Sequence, residues 1–125
     1  PFRRRHFTEP IFSRSRHLKV HLSMFIADPA VNPVSVFICN FTNHMYALAA
    51  DLLEKYNLPF EVMLPLIDET ARKVHELAPR DAQTGPAVRY DENVMSNHLA
   101  MLVDSPALQE IYKLMSKSIH EHHKL

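Results

Sequence analysis

One glycine, one cysteine and no tryptophan occur among the 125 residues. Glycine ordinarily makes up about 7% of a globular chain, so a chain this poor in it has almost no positions suited to positive φ. A strand followed by a Gly-x-Gly-x-x-Gly turn, the usual cradle for a dinucleotide pyrophosphate, is excluded outright. Cys39 has no second cysteine to pair with; it reads as a small apolar filler on a helix and fits a reducing compartment. No apolar run approaches the eighteen or so residues that span a bilayer, and Arg3 to Arg5 lead into no hydrophobic signal core, so a cytoplasmic protein is expected. Hairpin signals such as Asn-Gly or Gly-Gly are missing too. The chain opens on Pro1 rather than methionine, and a fragment of something longer is expected.

What is present is a soluble composition, 46% hydrophobic and 22% charged, in a length that fits one domain. Net charge is zero but unevenly spread. Residues 1–32 carry six basic side chains (Arg3, Arg4, Arg5, Arg14, Arg16, Lys19) against Glu9 and Asp28, whereas residues 33–125 carry eight against twelve acids. Residues 1–32 therefore form a basic arm and residues 33–125 a mildly acidic helical domain. Without interleaved aromatics or a recognisable module, the arm is a weak nucleic-acid signal; solvation, or docking on an acidic surface, explains it as well.

The body reads as all-α. Asn32-Pro33 offers an N-cap followed by proline at the first helical position. From there Phe37, Phe41, Met45, Leu48, Leu52 and Tyr56 recur at spacings of three and four, one face of a helix about 36 Å long, until Asn57 and Pro59 end it. A second helix carries Phe60, Met63, Leu64, Ile67, Ala71, Val74 and Ala78, with Asp68 to Arg72 and Glu69 to Lys73 as outer ion pairs. Pro65 should kink or split it and Pro79 stop it. Asp91 caps a third helix to about Val103, and Ser105-Pro106 opens a fourth striped by Leu108, Ile111, Tyr112, Met115 and Ile119. A helical bundle is the expected fold, and the long aromatic first helix with six methionines predicts a homodimer through helix packing.

The single glycine lies in Thr84-Gly85-Pro86-Ala87-Val88-Arg89-Tyr90-Asp91. A residue before proline is pushed out of the α region, and glycine there can use positive φ, so a sharply bent loop is predicted that delivers Arg89 and Asp91 to the start of a helix. An ordinary connection with Asp91 as a plain N-cap is the competing account. His98 falls in the middle of the third helix's apolar stripe, while Asn40 and His44 run along the edge of the first. Each alone suits a satisfied core group; together with Arg89 they suit a polar pocket. His120, His122 and His123 crowd a helix end without a supporting shell, and no metal site is expected there.

Val36-Phe37-Ile38-Cys39-Asn40-Phe41-Thr42-Asn43-His44, then Leu64-Pro65-Leu66-Ile67 with Thr70, then Thr84-Gly85-Pro86 with Arg89, Asp91 and His98, resemble the C-terminal helical domain of Rossmann-like NAD(P)-dependent oxidoreductases. That domain is catalogued as one of unknown function and is similar in shape to the C-terminal domains of 6-phosphogluconate dehydrogenase and pyrroline-5-carboxylate reductase. The likeness covers about residues 34–123. It implies a dimerising, substrate-side domain whose dinucleotide-binding partner domain lies outside this chain, with NAD(P) bound in the complete enzyme and not by these residues alone. Asn40, Thr84, Gly85, Arg89, Asp91 and His98 occupy the family's motif positions, with His44 beside Asn40 on the substrate side and His98 the implied catalytic group. Two positions depart from the pattern: Asn32 stands where a histidine is usual, and Tyr90 where glycine often lies between the arginine and the aspartate. The competing function class is a non-enzymatic helical interaction module whose basic arm docks an acidic partner or nucleic acid.

Overall fold

Proline at the first turn of a helix loses no hydrogen bond, and four helices among the described residues start that way. A computed structural model describes Pro29 and residues 31–124, which divide between Val62 and Met63 into two compact units. Most of the expected basic arm lies outside the described residues. No strand occurs among the described residues, and the all-α expectation holds.

In the first unit the chain is helical from 31 to 55. It begins as α1 (Val31–Ser35), widens into a π-helical segment (Val36–Phe41) and continues as α2 (Thr42–Lys55). Asn32, expected as the N-cap, lies within α1, where its carbonyl accepts a hydrogen bond from Ser35 Oγ at 2.8 Å. The π segment is a departure from the uniform helix expected. Its wider turn displaces backbone carbonyls from the regular ladder, and the hydroxyl of Thr42 donates to the Phe37 carbonyl at 3.2 Å. The C-terminus behaves as the sequence predicts. Asn57 takes φ 54°, the Leu58 amide reaches back to the Leu53 carbonyl and the Asn57 amide to the Glu54 carbonyl, both at 3.0 Å. This pair of bonds satisfies carbonyls that the helix leaves open. Phe37 and Phe41 meet edge to face with centroids 5.0 Å apart, yet Phe37 remains 68% exposed and Ile38 65%. Cys39, in the π segment, is exposed as well, so it is not the small apolar filler expected.

A 3-10 turn (Phe60–Met63) leads into α3 (Leu64–Glu76). Pro65 falls in the first turn of α3 and splits the expected second helix there, as proline must when its missing amide is tolerated only at a helix start. The ion pairs on α3 differ from those expected. Arg72 grips both Glu69, at 2.9 Å, and Glu76, instead of Asp68, because one guanidinium fork spans carboxylates three residues before it and four after it.

Two single-turn helices follow that residue patterning did not anticipate, α4 (Pro79–Ala82) and α5 (Pro86–Arg89). Next come α6 (Glu92–Met101) and α7 (Pro106–His123). Asp91 caps α6 as predicted, its carboxylate accepting the Val94 amide at 3.2 Å. Gln109 ties the two long helices together by donating its side-chain amide to the Leu99 carbonyl at 2.7 Å. α5 packs on α7, and Ala87 of α5, 6% exposed, is the only buried residue among the described residues.

Candidate functional site

The glycine loop is held at both ends by unusual backbone. Gly85 enters α5 at φ 114°, ψ 177°, a region essentially closed to residues with a Cβ. Tyr90 leaves it at φ 54°, ψ 47°, the left-handed region that costs a non-glycine residue about 1 kcal/mol or more. Between them the Tyr90 amide bonds the Ala87 carbonyl at 3.2 Å, and the Asp91 amide bonds the Pro86 carbonyl at 2.9 Å. A four-residue turn, too short to be stable alone, is thus clamped by two special residues and by the burial of Ala87.

The clamp fixes the position of Arg89. Its side chain is exposed and makes no hydrogen bond or ion pair among the described residues, so all five guanidinium donors are open to an anion. Asp91 is spent on capping α6, and Thr84 is exposed, with its carbonyl accepting the Gln83 side-chain amide at 3.0 Å. His98 is not the core group its place in the apolar stripe suggested. It is exposed, and its Nδ1 lies 2.9 Å from the Tyr112 hydroxyl of α7, with the two rings edge to face at 5.8 Å. Because Nδ1 is engaged, Nε2 is the nitrogen left for proton exchange.

Asn40 and His44 belong to the first unit and are exposed there, Asn40 inside the π segment and His44 on α2. The second unit holds Thr84, Gly85, Arg89, Asp91 and His98.

Three rings that sequence reasoning did not place in the site gather next to it. Tyr90, projecting from the strained end of α5, lies on His120 of α7 with centroids 4.5 Å apart, and Tyr112 stands one helical stretch earlier. With Met95 and Leu99 of α6 they line a cleft of about 730 Å³. His120 Nδ1 is shut off from solvent and has no hydrogen-bond partner among the described residues, a deficit that typically costs about 1–3 kcal/mol. The available signal was the tyrosine standing at a position where the resembled family often has glycine. No group of three or more metal-binding side chains occurs among the described residues, and no helix there is long and apolar enough to cross a membrane. His122 lies 3.3 Å from the Arg80 guanidinium.

Residues 29–119 match the family described as Domain of unknown function (DUF2520). The chain belongs to this family. Its fold is similar to the crystal structure of a protein named "putative NADP oxidoreductase" from Bacteroides fragilis, with 73% sequence identity and a TM-score of 0.73. The match covers 74% of this chain and 36% of that one, so the chain spans little more than a third of the protein it resembles. No curated protein matches the chain. Identity this high over three quarters of the residues makes the likeness one of sequence as well as of fold.

Proposed function

We infer that this chain is the dimerising, substrate-side domain of a cytoplasmic NADP-dependent oxidoreductase and works with a separate dinucleotide-binding domain. The observation that carries this is the 73% identity with part of a protein named for NADP oxidoreduction. The chain's own chemistry supports the division of labour. A single glycine, used up in the entry to α5, leaves no turn for a pyrophosphate, whereas Arg89, without a partner among the described residues, offers a rigidly mounted cation to an anionic group of the substrate. NADP, when bound by the complete enzyme, supplies or accepts the hydride. Asp91 holds the Arg89 turn against α6, and Tyr112 orients His98 so that its free nitrogen exchanges a proton with the reacting oxygen or nitrogen. Thr84 and Gly85 in the second unit, and Asn40 and His44 in the first, are each further candidate substrate contacts. The apolar face of the first unit, with Phe37, Ile38 and Phe41 exposed, supports the dimer.

The experiment joins this chain to a dinucleotide-binding domain of the family and assays hydride transfer. Arg89→Ala should weaken an anionic substrate by roughly 1.5–3 kcal/mol, a charged hydrogen bond. His98→Gln should lower turnover more than binding, by about 10²–10⁴. Full activity in both variants would make Arg89 and His98 structural residues, and a joined protein without hydride transfer would leave the non-enzymatic interaction module as the better reading.

A further inference from the structure

Around the cleft of about 730 Å³ between α6 and α7, aromatic rings and positive charge occur together. Tyr90 is 53% exposed even while one of its faces rests on His120, so its other face is open to a further ring. Met95 and Leu99 supply the apolar wall. Lys113, Lys117 and Lys124 stand at the rim against one acid, Glu121. Two of these lysines already have carboxylate neighbours, Glu110 at 2.9 Å from Lys113 and Glu121 at 3.8 Å from Lys117, but Lys124 has none among the described residues. The backbone points the same way: Tyr90 is kept in a left-handed conformation that glycine would fill without strain. Strain held by a residue whose ring floors a cleft is the pattern of a binding position rather than of a connection. The unsatisfied His120 Nδ1 adds a polar group on the same floor whose hydrogen bonding is incomplete.

We propose that this cleft binds a planar aromatic carboxylate, with the ring stacked on Tyr90 against Met95 and Leu99 and the carboxylate drawn to Lys124 and its neighbouring lysines. An aliphatic anion would waste the ring floor, and a neutral ring would waste the cationic rim. None of this draws on dinucleotide chemistry or on Arg89, so the cleft and the oxidoreductase reading stand or fall separately.

The test uses the 125-residue chain and three probes: 2-naphthoate, the neutral 2-naphthalenemethanol and the non-planar cyclohexanecarboxylate. Titrations followed by NMR should show 2-naphthoate saturating on the order of 0.1–1 mM, shifting the ring signals of His120 and Tyr90. The other two probes should bind at least about tenfold more weakly. Tyr90→Gly removes the ring at a position where glycine suits the backbone, and it should abolish the preference for the planar probe while circular dichroism stays helical. Lys124→Gln should weaken 2-naphthoate about threefold to tenfold and leave the neutral probe unchanged, which decides the matter should Tyr90→Gly fail to fold. Equal affinity for the charged and neutral rings, or 2-naphthoate binding that leaves the His120 and Tyr90 signals in place, would overturn the proposal.

Discussion

Between Val31 and Lys55 the backbone runs helical without a break and leaves Phe37 and Phe41 exposed, edge to face with each other. Between Pro79 and His123 the chain is instead cut into four helices, two of them a single turn long. In the long helix the polar groups are backbone business: Thr42 patches a carbonyl and Asn57 closes the end. In the second unit side chains link one helix to another, as Gln109 does to α6 and Tyr112 to His98. A continuous helix gives a broad apolar face suited to another protein surface. Interrupted helices give short stiff segments that aim individual side chains, which is what a ligand site requires.

The largest effect should come from attacking the difference directly. If the first unit's apolar face seats a second copy, Phe41→Asp places an unpaired charge at the interface and should raise the dimer dissociation constant by about 100-fold or more, measured by analytical ultracentrifugation. Leu114→Asp alters a still barer apolar side chain of α7, 68% exposed against 50% for Phe41, and should leave the dimer intact. The reverse outcome would exchange the roles of the two regions.

Within the second unit, Gly85 separates backbone strain from crowding. Apart from its chain neighbours, no described residue comes within 4 Å of where a Cβ would stand, so Gly85→Ala meets open space there and the φ of 114° is what opposes it. The expected cost is about 1–3 kcal/mol, visible as a drop of several degrees in Tm. A D-alanine introduced at the same position by semisynthesis should cost little, since its mirror-image preference accepts positive φ. If both were equally harmful, contacts rather than backbone would govern the turn. Asp91→Ala should do less, about 1 kcal/mol, because it removes one capping bond while the helix it starts stays anchored by Gln109.

These positions also mark what could be read from residues alone. Asp91, Asn57, Gly85 and Pro106 announce themselves because each solves a local problem, a cap or a φ, that depends only on its immediate neighbours. The π segment left no mark: Val36 to Phe41 has the spacing of an ordinary helix, and the widened turn shows only in the Thr42 hydroxyl bonding five residues back. The cleft was equally hidden, because Tyr90 and His120 stand thirty positions apart and meet only when α5 packs on α7. The partner of His98 was hidden for a related reason. Periodicity gives the face of a helix, but what lies opposite that face is tertiary, and here it is the Tyr112 hydroxyl rather than a core.

The smallest effect belongs to α3, where the ion pairs lie wholly at the surface. The hydrogen bonds from Arg72 hold the Glu69 carboxyl below its ordinary pKa, and the guanidinium is in turn pushed up by Glu69 and Glu76. A carboxyl whose pKa is lower in the folded than in the unfolded chain contributes stability above the unfolded value, and that contribution fades as pH falls through the folded one. The window therefore opens near the usual glutamate value of about 4.3 and extends below it. Because the group is fully exposed and screened by salt, Arg72→Ala should lower Tm by only about 1 °C at neutral pH. Wild type and variant should converge as the pH drops through that window, and added salt should narrow the gap at neutral pH. A difference that persisted undiminished in acid would mean that the Arg72 side chain acts through its packing along α3 and not through its charge.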